Sequence, residues 1–202
     1  MGQRGSTQAE IRVLLLGLDN AGKSTLLYKL KHKSAFSTVP TVGFNVEMLD
    51  VKRQRKNIAL TVWDVGGQAE MRRHWGGYHQ DTAAVVFVVD SADRHRLDEA
   101  RKELEKTLRS EQLRERPLLV LANKQDVAGA MTVTELKDAF NLRRICGERE
   151  WFVQACSAAT GGGLDEALRR VSHMVKLPSD SAAAVKENIK GTVNYIRAKS
   201  VR

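Results

Sequence analysis

Residues Gly17 to Ser24 read GLDNAGKS, the G-x-x-x-x-G-K-[ST] pattern of a phosphate-binding loop. Its glycines allow the backbone to curl so that successive N–H groups point at phosphate oxygens. Lys23 is long enough to reach the β- and γ-phosphates, and the Ser24 hydroxyl is a candidate Mg²⁺ ligand. The pattern predicts a nucleoside-triphosphate site formed by Gly17, Leu18, Asp19, Asn20, Ala21, Gly22, Lys23, Ser24 and Thr25.

The segments on either side of this loop supply the context that the motif needs. Residues 11–16 (IRVLLL) form a short apolar run, typical of a parallel strand covered on both faces. Residues 23–31 continue as a helix whose positive N-terminus faces the same anion. The alternative, a chance Gly-Lys-Ser in a surface loop, accounts for neither flank.

Strand-like and helix-like segments alternate along the rest of the chain, which predicts an α/β fold with a mostly parallel sheet and helices on both faces. The expected strands are residues 11–16, 44–51, 58–64, 84–90, 118–122 and 151–155, and the expected helices are residues 23–31, 94–109, 133–140 and 164–176. The second and third strands are joined by the basic connection 52–57 (KRQRKN) and therefore form an antiparallel hairpin. The domain is expected over residues 11–177, between an extension (1–10) and a tail (178–202) that begins at Pro178.

The composition narrows the class of protein. A chain of 202 residues with 42% hydrophobic residues can bury a sizeable core. The net charge of +9 favours anionic partners such as the inner face of a membrane, whereas dispersed charge and 5% aromatic residues do not favour nucleic acid. Two cysteines without metal-ligand spacing, Cys146 and Cys156, fit a reducing cytoplasm, and Cys156 is expected to be buried filler.

A second group of candidate site residues follows the third predicted strand in WDVGGQ, at positions 63–68. Asp64, at the strand's carboxyl end, can hold Mg²⁺ directly or through water. Gly67 allows its N–H to approach a γ-phosphate, and Gln68 has an amide that can orient an attacking water. Arg72 and Arg73 follow nearby, where solvation on a helix surface is the expected role.

The polar sequence Asn123-Lys124-Gln125-Asp126 follows the fifth predicted strand. Asp126 can accept hydrogen bonds from N1–H and the 2-amino group of guanine. Adenine lacks both donors, so this site would discriminate by roughly 10⁴–10⁵ against ATP. An ordinary polar loop is the alternative for NKQD alone, and the accompanying phosphate loop disfavours it.

Together GLDNAGKS, PTVGFN (residues 40–45), WDVGGQ and NKQD resemble the Arf/Arl family of small GTPases. The similarity spans residues 11–176, and PTVGFN and WDVGGQ separate it from the Ras, Rab and Rho branches. The YKLK, NVEML and basic-connection features are most similar to the ADP-ribosylation factor-like 4, 11 and 14 group.

The resemblance implies the P-loop small-GTPase fold and a switch that binds GTP or GDP with Mg²⁺. Thr41 matches the switch I threonine that ligates Mg²⁺ when the γ-phosphate is present. Ser157 and Ala158 match the loop whose backbone N–H meets guanine O6. An effector-facing aromatic cluster matches Phe44, Trp63 and Tyr78, for which core packing is the alternative.

The expected activity is slow GTP hydrolysis, with Gln68 as the catalytic residue and with partners that exchange the nucleotide, activate hydrolysis (a GTPase-activating protein) and act as effectors. The molecule is expected to be a monomer. A nucleotide kinase on the same fold and a GTP-binding scaffold with negligible hydrolysis are the alternatives; NKQD argues against the first, and intact Lys23, Ser24, Thr41 and Gln68 argue against the second.

The two ends point to reversible membrane association. Gly2 lies in M-G-x-x-x-[ST], the N-myristoylation pattern, although the bulky apolar residues that follow Gly2 in Arf proteins are missing before Ile11. One acyl chain binds only marginally, so a second signal is needed. Residues 179–202 supply a basic stretch with apolar residues at helical spacing, which could lie on an anionic leaflet; a tail packed on the domain is the alternative.

Overall fold

The structure, a computed structural model, describes residues 10–33 and 39–177. It contains one six-stranded sheet in the order β2-β3-β1-β4-β5-β6. The strands are β1 (Glu10–Leu16), β2 (Phe44–Arg53), β3 (Lys56–Val65), β4 (Ala84–Asp90), β5 (Leu118–Asn123) and β6 (Trp151–Ala155). The helices are α1 (Lys23–His32), α2 (Ala69–Arg72), α3 (Leu97–Leu108), α4 (Val133–Phe140), α5 (Leu142–Cys146) and α6 (Leu164–Met174). The predicted α/β fold is therefore confirmed.

Both faces of the sheet are covered because its central strands are apolar on both sides. In β1, Val13 and Leu15 pack into a core with α1 and α6, whereas Leu14 and Leu16 pack into a second core with α3 and α4. β1 pairs in parallel with β3 and β4, so the carboxyl ends of these strands meet at one edge. The phosphate loop follows β1 at that edge, as expected for an open parallel sheet.

The hairpin between β2 and β3 differs from the prediction in the length of its connection. The strands pair antiparallel from Phe44–Val65 to Arg53–Lys56, which leaves only Gln54 and Arg55 in the turn. The side chains of Lys52, Arg55 and Lys56 are exposed, so their charge gave no sign that the backbone of this segment is paired. Gln54 adopts φ 57°, as a tight two-residue turn requires.

The predicted helices are present, with changes at their ends. The predicted helix 94–109 is divided into a 3-10 turn, Arg94–Arg96, and α3, and α6 ends at Met174 before the predicted boundary. α2 and α5 are too short to give a helical repeat in the sequence. Pro178 and the tail lie outside the described residues, as do Gly2 and the N-terminal extension. Among the described helices, none combines the length and apolar character needed to cross a bilayer.

Candidate functional site

The phosphate loop has the backbone shape that its glycines predict. Gly17 and Gly22 have φ values of 145° and 91°. A side chain on Gly17 would collide with the carbonyl of Val88, and one on Gly22 with the side-chain amide of Asn123. The turn is therefore closed against β4 and β5, and it delivers Lys23 to the first position of α1.

Lys23 is 6% exposed, and its ammonium donates to the carbonyls of Gly17 and Leu18, both at 3.0 Å. Burial lowers the pKa of Lys23 to about 8, although the negative charges of Asp64 and Asp19 oppose the shift. A buried ammonium held by carbonyls remains short of negative charge. This arrangement favours an anionic ligand such as phosphate.

Ser24, Thr41 and Asp64 come together beside Lys23, although they lie far apart in the sequence. The Ser24 hydroxyl donates to Asp64 Oδ2 at 2.6 Å and lies 2.7 Å from Thr41 Oγ1. Asp64 is completely buried, and burial raises its pKa, whereas the hydrogen bond from Ser24 and the charge of Lys23 lower it.

The other carboxylate oxygen, Asp64 Oδ1, is buried and has no hydrogen-bond partner among the described residues. No cluster of three or more His, Cys, Asp or Glu side chains in residues 10–33 and 39–177 could hold a metal. A cation here would instead meet two hydroxyls and one carboxylate, a hard-oxygen set. This set fits Mg²⁺, which usually takes one or two protein oxygens together with substrate phosphates.

Gly67 packs directly on the phosphate loop. Its carbonyl accepts a hydrogen bond from Asp19 N–H at 3.1 Å, and a Cβ on Gly67 would collide with Gly17 and Leu18. Gln68 follows at the solvent-exposed start of α2. Together with residues 39–41, Thr25 and the phosphate loop, Gly67 and Gln68 line an open cleft.

Asn123 joins three segments of the site. It is 1% exposed; its Nδ2 donates to the Ala21 carbonyl at 2.8 Å, and its Oδ1 accepts from Ala158 N–H at 2.9 Å. Asn123 therefore holds the phosphate loop against the loop after β6. The predicted approach of Ala158 N–H to guanine O6 stays a prediction. In this structure, that N–H donates to Asn123 Oδ1.

Asp126 and Lys124 take different positions at the same edge. The exposed Asp126 carboxylate accepts a hydrogen bond from Ser157 Oγ at 2.5 Å, which fixes it beside the loop after β6. Lys124, at φ 65°, turns back and pairs with Asp90 Oδ2 at 2.7 Å. Ser157 is thus brought to Asp126 through its hydroxyl, a contact that the sequence did not predict.

Phe44, Trp63 and Tyr78 form one aromatic cluster, with ring centroids 5.1 Å apart for Phe44–Trp63 and 5.6 Å for Phe44–Tyr78. Phe44 is 49% exposed, so the cluster is not simply core. Arg12 lies beneath it: its guanidinium is 4.0 Å from the Trp63 ring and donates to the Tyr78 carbonyl. Sequence reasoning missed Arg12, because only the parallel pairing of β1 with β3 places it next to Trp63.

Arg72 is not solvated on a helix surface, and that prediction is wrong. It is 8% exposed and pairs with Glu99 at 2.6 Å and Glu103 at 3.4 Å, which ties α2 to α3. Arg73 is exposed, as expected. Cys156 is buried, also as expected, and burial raises its pKa to about 12.

Comparison with known proteins gives one family. The model of the ADP-ribosylation factor family matches residues 1–175. The ADP-ribosylation factor-like protein 14 of Mus musculus is 43% identical over 168 residues, which cover 83% of this chain and 86% of that protein. The structure of the small GTPase Arl6 (BBS3) from Trypanosoma brucei, with the nucleotide analogue GppNp bound, is similar with a TM-score of 0.73 at 34% identity; the match covers 81% of this chain and 96% of that chain.

Proposed function

Because the chain belongs to the ADP-ribosylation factor family and is a GTP-binding switch, we propose that it hydrolyses GTP with Mg²⁺ and recruits effectors at a membrane. The observation that carries the proposal is the convergence of Thr41 and Asp64 on Ser24 Oγ, at 2.7 Å and 2.6 Å. These residues come from α1, the segment before β2, and β3. A ligand at this point would therefore touch both residues 39–43 and residues 64–68, the two proposed switch segments.

The mechanism of switching follows from this placement. Thr41 lies just before β2, and Gly66 N–H donates to the Gly43 carbonyl at 2.9 Å, so the two segments are bonded to each other. A γ-phosphate beside Lys23 would hold Thr41 on one side and Gly67 on the other. Its loss would free both segments together.

Ser24 and Thr41 would hold Mg²⁺ through their hydroxyls, with Asp64 supplying an oxygen directly or through water. The ion would supply positive charge at the phosphate oxygens. Lys23 and the N–H groups of the phosphate loop would stabilise charge that develops on the transferred phosphoryl group.

Gln68 is the proposed catalytic residue, since it lies at the rim of the phosphate cleft where its amide can orient the attacking water. Arginines near the cleft are already engaged: Arg72 pairs with Glu99, and Arg96 pairs with Asp19. Neither is free to contact a phosphate. We therefore expect slow intrinsic hydrolysis that a GTPase-activating protein accelerates.

Asp126 is the proposed reader of guanine, oriented by Ser157. Its exposed carboxylate would gain two hydrogen bonds from the base. The aromatic cluster extends along β2, the edge strand, where Val46 and Met48 are also exposed on alternate positions after Phe44. This apolar strip next to the switch segments supports effector binding there.

Membrane recruitment rests on charge and on the ends of the chain. Exposed Lys52, Arg55 and Lys56 lie at the tip of the hairpin, far along β2 from the phosphate cleft. An acyl group on Gly2 and the basic tail 178–202 would add to this attraction for anionic lipid. The proposed location is the cytoplasm with reversible membrane association, as a monomer served by an exchange factor, a GTPase-activating protein and effectors.

A single-turnover assay tests the proposed hydrolysis. Purified protein loaded with radiolabelled GTP and Mg²⁺ should release phosphate. Gln68→Leu should lower the rate of release at least about tenfold, a smaller loss of rate than is typical when a general acid–base group is removed. Gln80→Leu, at an exposed position beyond α2, should match the wild type. Equal rates for Gln68→Leu and wild type would refute the assignment, and bound GTP without phosphate release would favour the scaffold.

A further inference from the structure

Asp19 places a carboxylate in a loop that binds phosphate. It lines the cleft together with Lys23, Ser24 and Gln68. A phosphate loop attracts its ligand through N–H groups and a positive charge, so a negative side chain opposes binding. The Asp19 charge already acts within the cleft, because it raises the pKa of Lys23 against the effect of burial.

Arg96, just before α3, contacts Asp19 at two points, one on the carboxylate and one on the backbone. Its Nη1 donates to Asp19 Oδ1 at 3.1 Å, and its Nη2 donates to the Asp19 carbonyl at 3.2 Å. The bond to Oδ1 holds the Asp19 carboxylate beside Arg96, and the bond to the carbonyl holds the Asp19 backbone. The planar guanidinium fork suits such a double contact, which lysine cannot reproduce.

Asp93 holds Arg96 through two further hydrogen bonds. Its Oδ2 accepts from Arg96 Nε at 2.7 Å, and its Oδ1 accepts from the Arg96 backbone N–H at 3.2 Å. All three guanidinium nitrogens of Arg96 are therefore committed, and the side chain has one orientation. The Asp19 carboxylate is therefore held beside Arg96, at the start of α3.

We propose that Arg96 is a positioning residue of the phosphate site that neutralises and holds Asp19, and that it thereby sets the preference for GTP over GDP. The inference rests on the proposed function of the cleft. GTP carries its additional charge on the γ-phosphate, the group that Gly67 and Gln68 would meet. Asp19 N–H is bonded to the Gly67 carbonyl, which places residue 19 next to the segment that would meet the γ-phosphate. An uncompensated carboxylate on this residue would therefore penalise GTP more than GDP.

The experiment measures the affinities of fluorescent GDP and of a fluorescent, non-hydrolysable GTP analogue, both with Mg²⁺. Arg96→Ala should weaken binding of the GTP analogue about tenfold, the order expected for one uncompensated charge beside a phosphate in a partly solvated site. Binding of GDP should weaken less than about threefold, because GDP lacks the γ-phosphate charge. Arg94→Ala removes an exposed pair with Glu135 from the same 3-10 turn and should leave both affinities near the wild-type values.

The same measurement in an Asp19→Asn background separates charge from structure. Because the amide introduced at position 19 carries no charge, Arg96→Ala should then leave the ratio of the two affinities unchanged. A merely structural Arg96 would lower both affinities equally, or would alter the ratio in both backgrounds, and either result overturns the inference. Failure of the wild type to bind either nucleotide would instead refute the proposed function.

Discussion

Replacing Asn123 by alanine should destabilise the folded protein severely, even at saturating nucleotide. The substitution removes the donor to the Ala21 carbonyl and the acceptor for Ala158 N–H, both in a buried region. Each buried group left without a partner costs about 1–3 kcal/mol. The expected loss in the free energy of unfolding is therefore about 2–6 kcal/mol.

The assay is thermal and urea unfolding with GDP and Mg²⁺ held in constant large excess, because bound ligand itself shifts the transition. For a domain of this size, about 2–4 °C of melting temperature is lost per kcal/mol, so Asn123→Ala should melt roughly 4–24 °C below wild type. Asn57→Ala, at an exposed position of β3, is the matched control and should change the unfolding free energy by less than about 0.5 kcal/mol.

The structural account of Asn123 fails if Asn123→Ala loses less than about 1 kcal/mol, the lower bound for one unpaired buried group. A normal stability with a large loss of guanine affinity would instead indicate that Asn123 acts mainly on the bound nucleotide. A loss in both quantities is expected, since detaching Ala21 also loosens the phosphate loop.

Three further predictions concern the hairpin, the buried lysine and the second switch segment. Arg53→Ala should lower the free energy of unfolding by about 1 kcal/mol and speed hydrogen exchange at the end of α6, because Arg53 donates to two carbonyls there at 2.8 Å. Arg55→Ala, in the exposed turn, should have neither effect. The affinity for GDP, measured by fluorescence titration, should fall by up to about tenfold per pH unit above about pH 8. The reason is the lowered pKa of Lys23, about 8: above this pH the free protein must take up a proton before Lys23 can offer an ammonium to phosphate. An affinity that stays constant with pH would contradict this prediction. Gly67→Ala should lower GTP affinity severalfold or more by pushing α2 off the phosphate loop, whereas Gly76→Ala, with open space at its Cβ, should bind normally; equal binding by the two variants would show that the contact is not needed.

The strand order and the hairpin illustrate where local pattern succeeds and fails. Apolar runs such as residues 11–16 and 118–122 predict strands correctly because a parallel strand buried on both faces consists mostly of apolar residues. Residues 52–57 predict only a basic connection, because solvated charges say nothing about backbone pairing. Only the pairing of Arg53 with Lys56 shows that the strands continue to a two-residue turn.

The sequence alone determined the parts of this protein whose chemistry is local. A loop with Gly17, Gly22, Lys23 and Ser24 carries its own backbone conformation and its own ligand preference, so its role could be predicted before any fold was known. The family could also be predicted from the sequence, because the resemblance lies in such local motifs, and the comparisons confirm it.

Tertiary structure decided which distant groups restrain these motifs. Asn123 holds the phosphate loop across 102 residues, and Arg96 holds Asp19 across 77. Arg72 is buried because α3 brings two glutamates to it. A hydrogen bond or ion pair between such partners depends on how whole helices and strands pack. The local sequence around either partner therefore does not predict that the two side chains come within bonding distance.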